Sequence, residues 1–200
     1  MTLMTGAMFV YFYYMLALAV VSKGKKPIVE MALACLMTLY IIFGFNSILV
    51  LRDFPSGFYY FVIVFAAPWV SDAAGYFVGR ALGKHKLIPD VSPKKTVEGA
   101  VGGVVFCAVC MVVVGLIAQF ASGLTPNYIG LAIAGLFLAV ISIFGDLIAS
   151  LIKRHYEIKD YGNLFPGHGG VMDRFDSIIA TAPFVLILCS HPEIFTLFTV

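Results

Sequence analysis

The sequence predicts an all-α, polytopic integral membrane protein with about six transmembrane helices and a polar site that faces the cytoplasm. Of its 200 residues, 61% are hydrophobic and only 12% are charged, whereas a soluble domain carries about 25% charged residues. The apolar runs are long enough for helical spans, which need about 20 residues, and they lack the alternation of barrel strands. This composition excludes an ordinary soluble enzyme, a disordered tail and a disulfide scaffold, and a net charge of +2 is too small to indicate nucleic-acid binding.

The spans are defined by stretches that contain no Asp, Glu, Lys or Arg. The longest of these stretches is interrupted by Gly123, Pro126 and Asn127, residue types that are typical of turns. We therefore divide it into two spans, and we predict helices over residues 4–22, 28–51, 57–79, 99–121, 127–152 and 174–190. The predicted organisation is an N-terminal group of transmembrane helices over residues 1–56, followed by a second transmembrane domain over residues 57–200, which would carry any catalytic site.

The basic residues predict the orientation in the membrane. Twelve of the thirteen Lys and Arg residues lie in or beside the first, third and fifth loops, and Arg52 is the exception. Positively charged residues remain on the cytoplasmic side of a membrane. The odd-numbered loops are therefore expected to face the cytoplasm, with both termini of this chain on the opposite side.

Most polar residues fall into two segments at cytoplasmic helix ends, residues 71–103 and 145–177. Both segments combine glycine, serine, lysine and carboxylates. Glycine allows the backbone to approach a phosphate, basic residues neutralise its charge, and carboxylates hold a metal ion. The two segments therefore indicate a phosphate-handling site.

Asp146 is the most informative residue of the second segment, because a charge inside a membrane helix is costly unless it is paired or solvated. Ser142, Asp146, Ser150 and Lys153 have helical spacing and share one face. This polar stripe predicts a functional carboxylate. The structural alternative is an Asp146–Lys153 contact that holds helices together.

Asp173 and Asp176 lie one turn apart where the last helix begins. Compensation of the helix dipole would explain this pair alone, but together with Asp146 the three carboxylates favour a metal site. Mg²⁺ is commonly bound by a few carboxylates and substrate phosphates. Asp72 is a further candidate, and its alternative is an ordinary charge at a helix end.

Ser92, Lys94, Lys95 and Thr96 form a basic loop that enters a helix, where hydroxyls and backbone N–H groups can bind phosphate. The alternative is a plain cytoplasmic loop. The glycines and Lys84 upstream of this loop do not form a Walker A motif, because neither the spacing of the glycines nor the residue after Lys84 matches it.

His168, between two glycines, is a candidate phosphate contact or acid–base group, or an ordinary loop histidine.

The second segment resembles the signature of the phosphatidate cytidylyltransferases, also called CDP-diacylglycerol synthases. The matching positions are Ser150, Lys153, Arg154, Lys159, Asp160, Gly162, Pro166, Gly167, His168, Gly169, Gly170, Asp173, Arg174 and Asp176. The upstream runs SDAAGYFVGRALGKHKL and SPKKTVEG also look like that family. The resemblance covers about residues 68 to 190. Members are usually longer at the N-terminus, so we expect either a short form or a fragment.

The resemblance implies an enzyme of phospholipid biosynthesis that joins CTP and phosphatidate into CDP-diacylglycerol and pyrophosphate. It implies a divalent metal, usually Mg²⁺, and allows a monovalent cation such as K⁺ beside it. By motif position, Asp146 and Asp173 would be the metal carboxylates. The expected location is the bacterial inner membrane, with the active site facing the cytoplasm, and a homodimer is compatible with the family.

The residues suggest roles within such a reaction, whose difficulty is to bring two anions together. We expect Asp146 and Asp173 to hold the metal, with Asp176 in support. The catalytic residues would be these two aspartates with Lys153 and Arg154. The expected substrate-binding residues are Ser92, Lys94, Lys95, Thr96, Ser150, Lys159, His168 and Arg174.

Two other functions also fit parts of the sequence. A CTP-dependent polyprenol kinase would use similar chemistry. A membrane transporter would also place carboxylates in the membrane and interrupt helices with glycine, although its charges would more often lie near the midplane. A CDP-alcohol phosphotransferase is disfavoured because its D-G-x2-A-R run is absent and the Asp173–Asp176 spacing is too short.

Overall fold

A computed structural model describes residues 2–22, 28–164, 169–192 and 195–199, with side chains from residue 6 onward. These ranges contain six helices: α1 (Thr2–Val21), α2 (Ile28–Leu51), α3 (Gly57–Leu82), α4 (Val97–Ser122), α5 (Tyr128–His155) and α6 (Met172–Ser190). They also contain four short strands: β1 (Lys86–Ile88), β2 (Ser92–Thr96), β3 (Thr125–Pro126) and β4 (Phe198–Thr199). The six helices follow one another along the chain in the predicted order.

Four helices of the described chain, α2 to α5, are long and apolar enough to cross a membrane, and in α1 a shorter apolar stretch covers Gly6–Val21. The turn between α4 and α5 was correctly predicted. Gly123 ends α4 with a φ of 66°, a left-handed conformation that glycine adopts without strain. Asn127 caps α5 by accepting a hydrogen bond from the backbone N–H of Gly130 at 2.9 Å.

The chain divides into two units, Met1–Phe43 and Gly44–Val200, and the division falls within α2. In the first unit, the hydroxyls of Tyr11 on α1 and Thr38 on α2 are hydrogen-bonded at 3.0 Å. In the second unit, α3, α4, α5 and α6 pack around one apolar core. Fully buried residues at its centre include Ile63, Met111, Leu138, Ile178 and Val185.

The strands lie at the two ends of the second unit. β3 in the α4–α5 loop pairs antiparallel with β4 near the C-terminus, and Phe198 of β4 also contacts the rings of Tyr59 and Tyr60 at the start of α3. β1 and β2 form a hairpin between α3 and α4. The sequence pattern did not predict this hairpin within the basic loop. The α2–α3 loop, the α4–α5 loop and the described C-terminal residues therefore lie at the same end of the second unit. The predicted alternation of loops between the two sides of the membrane requires this arrangement.

Helices α3 and α4 approach so closely that glycine is needed between them. A Cβ atom on Gly99 would lie 2.5 Å from the carbonyl oxygen of Gly75 and 3.1 Å from the Cα of Gly79. A Cβ atom on Gly103 would lie 2.6 Å from the carbonyl oxygen of Ser71. Small residues allow such backbone contact between membrane helices. This contact sets α3, which carries Asp72, directly against the start of α4.

Substitution of Gly99 by Ala is expected to destabilise the protein, because the obstructing atoms belong to the backbone and cannot rotate away. Overpacking of this kind costs about 1–3 kcal/mol. Thermal unfolding of the purified protein in detergent should show a lower Tm. Gly6→Ala is the control, because a Cβ atom there meets nothing within 4 Å. An unchanged Tm for Gly99→Ala would contradict the close approach of α3 and α4.

Candidate functional site

The two polar segments predicted from the sequence meet at one end of the second unit. Lys95, on the β1–β2 hairpin, places its Nζ 2.6 Å from Oδ2 of Asp146 on α5. The Lys95 nitrogen is buried, and beyond this ion pair the described residues offer it no hydrogen-bond acceptor. The first polar segment, residues 71–103, thus supplies the lysine that pairs with Asp146 of the second polar segment, residues 145–177.

The hairpin is held in place by local contacts. Lys86 of β1 donates a hydrogen bond from Nζ to the carbonyl oxygen of Pro93 at 2.7 Å. The hydroxyl of Thr96 accepts a hydrogen bond from the backbone N–H of Gly99 and caps α4. His85 contacts Glu98 at 2.7 Å between Nδ1 and Oε1. Thr96, predicted to bind substrate, is buried and uses its hydroxyl as a helix cap.

A cavity of about 710 Å³ is lined by the hairpin and by α3, α4 and α5, and its volume is within the usual range for ligand sites. Five of its lining residues are basic, and two, Asp72 and Asp146, are acidic. The basic lining residues are Arg80, Lys84, Lys86, Lys94 and Lys95. Such a lining suits a polyanion.

A second cavity, of about 410 Å³, lies between α3 and the start of α6. Its lining combines the aromatic side chains of Trp69 and Phe175 with Arg174 and three carboxylates. One of these carboxylates is Asp72, which lines both cavities. The two cavities therefore adjoin at this side chain.

Two serines line these cavities with buried, unsatisfied hydroxyls. Ser71, in the larger cavity, is 2% exposed, and Ser177, in the smaller cavity, is 4% exposed. Neither Oγ atom has a hydrogen-bond partner in the described part of the chain. Buried polar groups are normally hydrogen-bonded, so both hydroxyls are suited to contact a bound ligand.

The sequence suggested a structural contact between Asp146 and Lys153, but each residue pairs with a different partner. Nζ of Lys153 donates a hydrogen bond to Oδ1 of Asp173 at 2.8 Å, and the two side chains are only 11% and 4% exposed. The backbone N–H groups of Tyr161 and Gly170 donate to Oδ2 of the same aspartate at 2.7 and 2.9 Å. This buried ion pair links α5 to the start of α6.

The environment of this pair shifts the pKa of two groups. Burial alone would raise the pKa of Asp173, but Lys153 and the two backbone N–H groups outweigh it, so the pKa lies below the ordinary value. Burial, together with the charges of Asp173 and Asp176, raises the pKa of Tyr161 to about 12. Asp173 therefore remains ionised and the Tyr161 phenol remains neutral near pH 7.

The remaining predicted site residues fall into four groups. Ser92 and Lys94 line the larger cavity, and Arg174 lines the smaller one. Ser150 lies on α5 with its hydroxyl 3.5 Å from Oδ1 of Asp146. Arg154 and Lys159 are exposed and line neither cavity, and His168 lies outside the described residues.

Several residues of the site were not among the predicted site residues. Asp72, Tyr76 and Arg80 follow i, i+4 spacing along α3, and Lys84 lies just beyond the end of this helix; all four line the larger cavity. The spacing from Asp72, which was already a candidate carboxylate, was a usable signal for Tyr76 and Arg80. Tyr161, which contacts both members of the Lys153–Asp173 pair, carried no recognisable pattern.

The carboxylates can accept a metal ion only together with other ligands. Among the described residues, no three His, Cys, Asp or Glu side chains are grouped to hold one. Asp72, Asp146 and Asp176 nevertheless interact electrostatically with one another, whereas both oxygens of Asp173 are already engaged. A divalent cation fits this donor set if substrate phosphates complete its coordination, as is usual for Mg²⁺.

The fold and the site define a polytopic α-helical membrane protein with a cavity at one end that is lined by five basic residues. A family model described as "Cytidylyltransferase family" matches residues 1–191, and the chain belongs to that family.

Among its relatives, the chain is 40% identical to the phosphatidate cytidylyltransferase of Bacillus subtilis (strain 168) over 175 residues, which cover 87% of this chain and 64% of that protein. It is 34% identical to the phosphatidate cytidylyltransferase of Staphylococcus haemolyticus (strain JCSC1435) over 176 residues, which cover 88% of this chain and 65% of that protein. The chain thus matches slightly less than two thirds of the length of these relatives.

Proposed function

We propose that this chain carries the catalytic region of a phosphatidate cytidylyltransferase, which condenses CTP with phosphatidate into CDP-diacylglycerol and pyrophosphate. The observation that supports this most strongly is the pair of adjoining cavities, one basic and one partly aromatic, that share Asp72. A reaction between a soluble polyanion and a lipid phosphate needs two such sites side by side. The names of the relatives support the same reaction.

The two substrates are assigned by the chemistry of the cavity walls. CTP would occupy the larger cavity, because a triphosphate needs several cations and this wall has five. Phosphatidate would bring its headgroup to the smaller cavity, where Arg174 can contact phosphate. Trp69 is 62% exposed on α3, and an exposed membrane-helix aromatic suits contact with lipid.

The reaction needs charge neutralisation more than proton transfer. A phosphate oxygen of phosphatidate would attack the α-phosphorus of CTP, a new P–O bond would form, and the bond to pyrophosphate would break. The nucleophile is already anionic, so no strong general base is required. Lys94 and Lys95 on the nucleotide side, with Lys153 on the other side, would reduce the repulsion between the two substrates.

Asp146 is the principal candidate for holding Mg²⁺ in this site, with Asp176 and Asp173 as the further proposed ligands. When bound with substrate phosphates, the ion would supply positive charge and align the reacting groups. A monovalent cation such as K⁺ could share this acidic region. Arg154, Lys159, Ser150 and His168 remain predicted contacts for substrate phosphates.

The proposed orientation follows from the basic residues. The end that carries the β1–β2 hairpin and the α5–α6 loop would face the cytoplasm, where CTP is found. In a bacterium the protein would lie in the inner membrane, with the smaller cavity near the lipid headgroups. The proposed assembly is a homodimer.

The direct test is an assay of the purified protein in detergent micelles that contain phosphatidate. We expect CDP-diacylglycerol and pyrophosphate to form in equal amounts only when CTP and phosphatidate are both present. The control omits phosphatidate. Movement of a labelled ion across reconstituted vesicles without nucleotide turnover would instead favour a transporter.

The assignment of the substrates to the two cavities predicts separate effects on KM. Lys94 lines only the larger cavity and Arg174 only the smaller one. Loss of a hydrogen bond to a charged group costs about 1.5–3 kcal/mol, so each KM should rise at least about tenfold. Lys94→Met should raise the KM for CTP, whereas Arg174→Met should raise the KM for phosphatidate. The reverse pattern would contradict the assignment.

A further inference from the structure

Tyr161, in the loop between α5 and α6, contacts both members of the buried Lys153–Asp173 pair. Its backbone N–H donates a hydrogen bond to Oδ2 of Asp173 at 2.7 Å. Its ring centre lies 5.3 Å from Nζ of Lys153, within the distance at which a cation is attracted to an aromatic face. Tyr161 thus contacts Asp173 through its backbone and Lys153 through its side chain.

The phenol hydroxyl anchors this arrangement to α5. It donates a hydrogen bond to the carbonyl oxygen of Ala149 at 2.9 Å. Ala149 lies one helical turn before Lys153, so the anchored ring lies beside the turn from which the lysine side chain emerges. The loop is also closely packed here, because a Cβ atom on Gly170 would lie 2.9 Å from the backbone nitrogen of Gly162.

These contacts bear on the choice of partner for Lys153. Asp146 and Lys153 lie seven residues apart on α5, which is about 10.5 Å along the helix. The charges of both side chains act on the same neighbouring carboxylate, that of Asp176. A long and flexible lysine side chain could therefore turn toward the Asp146 region. The ring of Tyr161 and the fixed carboxylate of Asp173 instead hold it toward α6, which leaves Asp146 paired with Lys95.

We propose that Tyr161 is a positioning residue, which holds Lys153 and Asp173 in the geometry that the reaction needs. This inference rests on the proposed cytidylyltransferase function. Tyr161 need not touch either substrate, since its effect is transmitted through the two side chains that it contacts. It keeps the Lys153 charge beside Asp173, which lines the smaller cavity, and away from the Lys95–Asp146 pair of the larger cavity.

The kinetic test compares three variants. Tyr161→Leu removes the ring and the hydroxyl, whereas Tyr161→Phe removes the hydroxyl alone and keeps the ring beside Lys153. Tyr156→Leu is the control, because this tyrosine lies in the same loop and its ring contacts His155. A misplaced catalytic group can cost up to about a hundredfold in rate, so we expect Tyr161→Leu to lower kcat at least about tenfold.

The expected pattern distinguishes positioning from general destabilisation. The KM values for CTP and phosphatidate should change little in Tyr161→Leu, Tyr161→Phe should recover most of the lost kcat, and Tyr156→Leu should match the wild type. A kcat for Tyr161→Leu equal to that of the wild type would overturn the proposal. An equal loss in the Tyr156→Leu control would also overturn it.

A second measurement does not depend on activity. Tyr161→Leu, Lys153→Met and the double variant are compared by their Tm values in detergent. If the ring holds the lysine, the two single shifts will not add in the double variant. Additive shifts would overturn the proposed contact even in an active enzyme. If the wild-type protein shows no turnover but the Tm shifts are non-additive, the proposed function and the positioning role of Tyr161 in the reaction are overturned, while the contact between Tyr161 and Lys153 is retained.

Discussion

Asp146→Asn is expected to reduce the formation of CDP-diacylglycerol by about a hundredfold or more, as does the loss of a principal electrostatic contact in other active sites. The substitution keeps the shape of the side chain and removes its charge. Asp146 lines the larger cavity and pairs with Lys95, and it is the principal candidate for binding a cation. The rate is measured with purified protein at saturating CTP and phosphatidate.

The control for this variant is Asp53→Asn, the same chemical change in the exposed loop between α2 and α3. It should keep the wild-type rate, because that loop lies at the opposite end of the second unit. The Tm of both variants shows whether the protein remains folded. A fully active Asp146→Asn variant would contradict the role of this carboxylate, and wild-type activity in both Asp146→Asn and Asp173→Asn would refute the proposed metal ligands.

Lys153→Met is expected to lower both stability and activity. It leaves the carboxylate of Asp173, 4% exposed, without its cation. Removal of one member of a buried ion pair costs about 3–5 kcal/mol, whereas replacement of both members is often nearly neutral. The free energy of unfolding should therefore fall markedly in the single variant, as measured by chemical denaturation in detergent.

A double variant separates the structural role from the catalytic one. Lys153→Met combined with Asp173→Asn removes both charges, and it should recover part of the lost stability because no unpaired charge remains. The rate of CDP-diacylglycerol formation should not recover, since the double variant lacks the cation proposed to act on phosphate. Recovery of both stability and rate would mean that the pair serves only to hold α5 and α6 together.

The sequence predicted the helices because the bilayer imposes a simple requirement on composition. Charge-free runs marked the spans, and Gly123, Pro126 and Asn127 correctly divided the longest run between α4 and α5. The hairpin of β1 and β2 was missed because its SPKKT strand lacks the alternating apolar pattern that predicts strands. It is instead held by local contacts, such as that of Lys86 with Pro93.

Site residues were predictable as a set, but their pairing was not. Helical spacing placed Asp146 and Lys153 on one face of α5, yet spacing within a helix does not determine which neighbouring element faces it. The pairs Lys95–Asp146 and Lys153–Asp173 depend on tertiary packing. Tyr161 could not be identified because its contacts involve its own backbone N–H and the carbonyl of Ala149, which no residue pattern encodes.

The central claim is that a lipid phosphate attacks the α-phosphorus of CTP in this site. The most direct measurement follows the label from two preparations of CTP, one labelled at the α-phosphorus and one at the γ-phosphorus, with phosphatidate present. We predict that the α-label enters the lipid product and that the γ-label appears only in pyrophosphate. Transfer of the γ-label to lipid would instead indicate a CTP-dependent kinase and would contradict the proposed reaction.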